Sequence, residues 1–294
     1  MSKNTSIGFI YNRQFPETKD KAVETITRLG LKSGTWWVSS AETLHTKSEE
    51  LKNTSIAVVF GGDGTILRTI RVTSSFEVPL VGIKMGKIGF MAELTTDEIE
   101  SRLPDYIFKD KRIRVEKRMM LKAEIISPDS SEPRLTVNAL NDIAVGTDTA
   151  SRLVELQASV NGVHLTNYRA DAVIIATATG STGYALAAGG PIIFPEAELM
   201  ILQPVAAHTG LRDGLILAPD SAVELKASIN YRASISADGF VDSQLKPGEK
   251  VLIRQSPYKA RFLRAHQPDF FYTALNLRLG LAYRSQRPPE SNGG

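Results

Sequence analysis

The stretch Ser55–Arg68, SIAVVFGGDGTILR, decides the reading of the fold. Ser55–Phe60 is a short β-branched apolar run without period-two alternation, the pattern of a strand covered on both faces. It ends abruptly at Gly61-Gly62, and Ile66–Val72 resumes with helical character. Ligands bind outside the carboxyl ends of strands in open α/β sheets. Glycines there let the backbone approach a ligand closely, and N–H groups at the helix start favour phosphate. Gly61, Gly62, Gly64 and Thr65 are therefore candidates for a phosphate loop. Asp63 is repulsive in such a loop unless it has a task. It fits a general base on an acceptor hydroxyl, or a ligand of the metal that accompanies a nucleotide, both phosphoryl-transfer roles. Taken alone, the same residues fit a tight turn with an Asp helix cap equally well.

Working outward, the first ~100 residues alternate strand and helix patterns, which predicts a doubly wound parallel sheet. Ser6–Tyr11 and Pro79–Ile83 read as strands, and Asp20–Leu29 and Asp97–Ile107 as helices. From Arg112 the texture changes. Arg114–Ile126, Leu135–Val145, Leu153–Val160, Ala172–Thr177, Ala222–Ile229, Ala233–Ala237 and Lys250–Arg254 all read as strands. Asn161-Gly162 is a strong hairpin-turn signal. The expected organisation is an α/β domain over residues 1–110 and a β-rich domain over 111–265. A helical segment, with Phe271, Leu275, Leu279 and Ala282 at helical spacing, is expected within 266–285, packing back on the first domain. The Pro/Ser/Gly-rich residues 286–294 read as a disordered tail.

Composition narrows the function classes. The chain has 294 residues, 42% hydrophobic and 23% charged, an ordinary globular balance. Lys and Arg number 35 and Asp and Glu 32, a net charge of +3 spread along the chain, so nucleic acid is not indicated as a partner. No apolar run approaches the ~20 residues of a membrane helix. There are no cysteines, which excludes disulfides, Cys-ligated zinc and thiol nucleophiles and fits a cytoplasmic address. The N-terminus carries no secretory pattern.

Two further clusters accompany the glycine loop. Ala139-Leu140-Asn141-Asp142-Ile143 sets an amide beside a carboxylate, a pair that suits vicinal ribose hydroxyls and also suits a turn. Tyr168-Arg169-Ala170-Asp171 precedes the strand Ala172–Thr177 and the loop Ala178-Thr179-Gly180-Ser181-Thr182-Gly183-Tyr184. That loop of small hydroxyl residues and glycines before an Ala-rich helical run is a second cradle for phosphate or ribose, or a capped helix.

In this order and spacing the segments GGDGT, ALND and RAD…TATGSTGYALAAGGPI resemble the NAD kinases, over roughly Ile7–Leu281. Gly82–Leu94, GIKMGKIGFMAEL, and Ser256–Arg264, SPYKARFLR, are similar to further segments of that family. The resemblance implies an N-terminal α/β domain and a C-terminal β-sandwich-like domain, assembled as a homodimer or tetramer. It implies transfer of the γ-phosphoryl of ATP, or of polyphosphate in some members, to the 2′-hydroxyl of the adenosine ribose of NAD, with a divalent metal, usually magnesium. Asp63 would be the base and Gly64 would lie beside the substrate. Asn141 and Asp142 would hold a ribose, and Arg152, Arg169 and Asp171 would contact NAD. Thr179 and the run Thr182, Gly183, Tyr184, Ala185, Leu186 and Ala187 would line the pocket. Arg68 would face phosphate and Phe90 would wall the adenosine. The chain departs from the family at Lys84, Ala172, Ala178, Gly183 and Phe240, the last standing where glutamine is usual. A lipid or sugar kinase sharing GGDGT, and a non-catalytic dinucleotide-binding regulator, are the alternative readings.

Overall fold

A computed structural model describes residues 6–86, 89–147, 153–228 and 232–280. The N-terminal part runs β1 (Ser6–Tyr11), α1 (Pro16–Arg28), β2 (Trp36–Ser40), α2 (Ser48–Lys52), β3 (Thr54–Gly61), α3 (Asp63–Thr73), β4 (Leu80–Lys84), β5 (Leu94–Thr95) and α4 (Ile99–Ile107). Helix α1 begins earlier than its apolar spacing suggests, because Pro16 occupies the first turn, where its missing N–H costs nothing.

Strands β1, β2, β3 and β4 are parallel, in the order β2-β1-β3-β4. The chain switches direction across the sheet between β1 and β3, so the crevice at their carboxyl ends opens between Asn12 and Gly61-Gly62. Phe9, Val58, Phe60, Val81 and Ile83 pack toward α1 and α4; Ile10, Val59, Leu80, Ile66 and Ile70 pack on the α3 side. Both faces are thus covered, which is why these strands read as continuous apolar runs.

The C-terminal part runs β6 (Arg114–Ile126), β7 (Pro133–Ala139), β8 (Asp142–Gly146), β9 (Val154–Val160), β10 (Val163–Ala170) and β11 (Ala172–Thr177). Then follow α5 (Tyr184–Ala187), β12 (Met200–Val205), β13 (Leu215–Leu217), β14 (Val223–Ala227), β15 (Ser234–Ala237), β16 (Phe240–Gln244), β17 (Lys250–Arg264) and α6 (Phe270–Leu279). A six-stranded sheet, β13-β12-β11-β8-β15-β16, faces the strands β6, β7, β9, β10, β14 and β17. Leu121, Ile125, Leu156, Leu225 and Ile253 of one layer meet Ile143, Val145, Val173, Ile175 and Leu202 of the other in a shared core.

Two expectations change. The apolar run Leu135–Val145 is two strands, broken at Leu140-Asn141, where three backbone N–H groups turn toward one carboxylate. The strand Lys250–Arg254 continues to Arg264, through a pairing irregularity between Gln255 and Lys259. Its far end pairs parallel with β4 at Phe262 and Leu80, so one sheet of 11 strands runs through both halves of the chain. The strand expected over Ala222–Ile229 is Val223–Ala227, with Ala222 and Ser228 outside it; Ile229 lies outside the described residues, as do Ala282 and the tail 286–294.

Candidate active site

The glycine loop sits at the sheet crevice. Gly62 caps α3, and Asp63 occupies its first turn. A Cβ on Gly61 would stand 2.4 Å from Thr65 Oγ1, so only glycine lets the helix start this close to β3. The Asn12 amide, from the end of β1, donates to Thr65 Oγ1 at 3.1 Å and ties the two sides of the crevice. A cavity of about 520 Å³ opens here, lined among others by Asn12, Gly61, Gly62, Gly64, Thr65 and Arg68.

Asp63 is held by backbone. Its Oδ2 accepts the Phe90 N–H at 2.6 Å and its Oδ1 the Met91 N–H at 3.1 Å. A Cβ on Gly89 would fall 2.1 Å from Oδ1, so the segment after β4 can clasp the carboxylate only with glycine at 89. Charge-assisted bonds of this kind are roughly twice as strong as neutral ones. Each oxygen keeps acceptor capacity for a substrate proton. Phe90 is thereby placed beside Asp63, and the Arg278 guanidinium of α6 stacks on its ring at 3.7 Å.

The Asn141-Asp142 pair lies at the corner between β7 and β8. Asp238, in the left-handed region at φ 52°, takes the N–H groups of Leu140, Asn141 and Asp142 at 3.0, 2.7 and 3.3 Å. On the other side the Thr177 N–H donates to the Asn141 carbonyl at 2.8 Å, and a Cβ on Gly180 would stand 2.0 Å from that carbonyl oxygen. The second cradle is thus packed directly on the first cluster. Asn141 Oδ1 is buried without a partner, an acceptor left open for a donor such as a ribose hydroxyl. Gly183 lies next to both, its Cβ position 3.7 Å from Asn141 Nδ2 and 3.8 Å from Asp142 Oδ2.

Burial sets the charge state here. Asp142 is pushed up to about 7 by burial and then by the Asp238 charge. Asp238 is raised to about 6 by burial, against the pull of its three backbone donors and of Arg71. The Tyr184 hydroxyl is raised by burial and then by the carboxylates of Asp171 and Asp142.

The remaining sequence candidates fall into two places. Thr179, Thr182 and Leu186 stay with the cradle, where the Thr182 hydroxyl donates to the Thr179 carbonyl at 3.2 Å. Ala185 faces the core beside Ile174 and Ile201, while Tyr184 and Ala187 are exposed. Arg169 and Asp171 stand at the opposite end of β11, roughly 20 Å from Thr179 by strand rise. There Arg169 lines a different cavity of about 570 Å³, with Gln157, Asn167 and Lys226. Arg152 lies outside the described residues, as do Lys87 and Ile88 of the Gly82–Leu94 segment. Sequence reasoning missed Asp238 and Gly89. The Asp238-Gly239 dipeptide carried a turn signal, but only the fold shows that its carboxylate braces the Asn141 corner.

Comparison with known proteins bears on this arrangement. Residues 7–111 match the model of the ATP-NAD kinase N-terminal domain and residues 140–265 that of the ATP-NAD kinase C-terminal domain. The chain is 35% identical over 273 residues to an NAD kinase of Dehalococcoides mccartyi, covering 93% of this chain and 95% of that one. It is 35% identical over 246 residues to an NAD kinase of Cupriavidus pinatubonensis, covering 83% and 78%. Among solved structures, an NAD kinase from Archaeoglobus fulgidus in complex with ATP superposes with a TM-score of 0.71 at 25% identity, covering 92% and 99%. A yeast NADH kinase complexed with NADH superposes at 0.83 and 23% identity, covering 97% and 90%, a likeness of fold.

The carboxyl pair gives a pH signature. Both groups bind protons more tightly folded than unfolded, so their contribution to stability is full below about pH 4 and is lost as pH rises through about 6 to 7. Asp142→Asn removes that loss. Thermal melts are expected to show the variant unchanged near pH 4 and more stable at pH 8, by ~2–4 °C for each ~1 kcal/mol recovered. Equal shifts at both pH values would contradict the assignment.

Proposed function

The chain belongs to the NAD kinase family, and from that premise we propose that Asp63 is the general base of its reaction. The protein is an ATP-dependent NAD kinase, a phosphotransferase. It moves the γ-phosphoryl of ATP to the 2′-hydroxyl of the adenosine ribose of NAD and yields NADP and ADP. The observation that carries the role of Asp63 is its backbone clasp in a glycine loop at the sheet crevice. An alcohol is a poor nucleophile at neutral pH, and a fixed carboxylate within hydrogen-bond reach takes its proton as the new O–P bond forms. The remainder of the rate comes from positioning and from charge stabilisation by loop N–H groups.

In this reading Asn141 and Asp142 hold ribose hydroxyls, and Gly61, Gly62, Gly64, Thr65 and Arg68 face phosphates. Phe90 walls the adenosine, and Thr179 to Ala187 complete the pocket. Arg169 and Asp171 belong to the proposal at a distance, Asp171 through its charge on the Tyr184 hydroxyl and Arg169 from the wall of the other cavity. Magnesium binds through one or two carboxylates together with substrate phosphates and keeps several waters. No cluster of three or more His, Asp or Glu lies among the described residues, so Asp63 of the glycine loop would be the carboxylate nearest the ion, with substrate phosphates and water completing its shell. Bound on the donor's phosphates, the ion would neutralise charge on the transferred group.

A homo-oligomer, dimer or tetramer, is part of the proposal. Helix α6 exposes Phe270, Tyr272, Leu277 and Leu279 at 43, 57, 65 and 41% and has no buried residue, a surface that a second copy would cover. A cytoplasmic address is also proposed, on the cysteine-free composition. No helix among the described residues is long and apolar enough to cross a membrane.

The central test is NADP formation from NAD, ATP and magnesium, read with an enzyme that reduces only NADP. Asp63→Ala is expected to lose at least ~100-fold in turnover. Gly89→Ala, which leaves the carboxylate in place chemically but drives a methyl into its clasp, should lose turnover on a comparable scale while its circular dichroism stays native. Full turnover in Asp63→Ala would remove it from the mechanism. Light scattering should give a particle that is a multiple of 32.1 kDa; a monomer at working concentration would refute the oligomer.

A further inference from the structure

Two arginines on one face of α3 meet the β15–β16 hairpin in different ways. Arg71 pairs with Asp242 at 2.6 Å, and Asp242 also accepts the Ala237 N–H at 3.0 Å, so its charge is spent within the fold. Arg68, one turn earlier, forms no ion pair among the described residues. Its guanidinium lies instead over the Phe240 ring, 3.7 Å from the centroid, and Arg71 stands 5.7 Å from the same ring. Asp242 sits at a pairing irregularity of β16, and both it and Phe240 meet the arginines of α3. The hairpin therefore grips α3 twice, once by an ion pair and once by an aromatic face.

Arg68 and Phe240 both line the cavity that opens on Gly61, Gly62, Gly64 and Thr65. Glu17 and Glu42 share that cavity, and neither pairs with Arg68. A guanidinium stacked on a ring keeps its planar N–H edge free for hydrogen bonds. Stacking also removes much of the rotamer freedom that an unpaired arginine would otherwise lose on binding an anion.

We propose that Phe240 is a positioning residue for nucleotide binding: its ring holds the Arg68 guanidinium at the wall of the glycine-loop cavity, edge outward, to take a phosphate of a bound nucleotide. This rests on the kinase reading of the loop. The shared ligand chemistry is a phosphoanhydride, which both substrates carry: the triphosphate of ATP and the pyrophosphate of NAD.

The test is a double-mutant cycle read by calorimetric titration of the full chain with ATP and with NAD separately, which needs no turnover. A failed kinase reading and a failed inference are therefore distinguishable. Phe240→Leu keeps an apolar side chain and removes the ring; it is expected to weaken one of the two nucleotides about two- to fivefold, the range of an exposed to partly buried cation–π contact. Weakening of ATP assigns Arg68 to the donor, and weakening of NAD to the acceptor. Phe240→Tyr, which restores the ring, should recover the affinity. In an Arg68→Ala background Phe240→Leu should cost nothing further. Undiminished affinity in Phe240→Leu, or the same loss with and without Arg68, overturns the proposal. So does a variant that lowers only the melting temperature, which would make the ring purely structural.

Discussion

The site depends on one clasp, the Asp63 carboxylate held by the N–H groups of Phe90 and Met91. It joins the first turn of α3 to the segment that follows β4, two pieces of chain with no ladder bond between them. Three other features follow from it. Residue 89 must lack a side chain, the Phe90 ring is set beside the carboxylate, and α3 is fixed in its approach to β3, where Gly61 is already crowded by Thr65. The clasp is itself anchored from the other half of the chain. Arg264, at the end of β17, donates to the Met91 carbonyl at 3.0 Å and to Glu93 at 3.0 Å. The peptide that holds the Asp63 carboxylate, the proposed base, is thus pinned by the strand that unites the two halves.

A second carboxylate plays the same structural part at the Asn141 corner, in a more deeply buried setting. Asp238 accepts three N–H groups as Asp63 accepts two, but it is buried and faces another buried carboxyl group. Burial raises both members of the pair, so near neutrality they hold charge at a cost. A buried acceptor that is short of donors, like the bare Asn141 Oδ1, is a cost that the proposed ribose hydroxyl would relieve on binding. The corner is in this sense less stable than it could be, and the deficit lies where the proposed substrate supplies hydrogen-bond donors.

What was legible in the sequence was what is local. The strand–glycine–helix handover at Phe60–Ile66 shows in the chain because the covered strand, the tight turn and the helix start are adjacent residues. The same holds for Asn161-Gly162, whose positive φ values make the β9–β10 hairpin. The break at Leu140-Asn141 was hidden, because its cause is Asp238, almost a hundred residues away. The full length of β17 was hidden for a related reason: Ser256–Arg264 looks like a strand of its own until β6 is seen pairing along both parts. Among site residues, the Asn141 corner and the Thr179 cradle pack on each other, and the glycine loop lines a cavity that Phe240 of the β15–β16 hairpin also lines. Arg169 and Asp171 precede β11 while the cradle follows it, and a fully paired strand cannot fold back to join them.

That separation has a consequence for how the enzyme works. Arg169 and Asp171 stand at the far end of a rigid strand, and the charges of both Asp171 and Asp142 reach the Tyr184 hydroxyl. A group at that end of β11 reaches a nucleotide in the Asp63 crevice either by way of an extended ligand or as part of a second copy's crevice. The apolar residues exposed around α6 favour the second arrangement, because the proposed homo-oligomer would cover them and bring distant surfaces of like chains together. Under that arrangement the rigid sheet serves both functions. One end of β11 builds the subunit's own cradle, and the other presents charge to a neighbour.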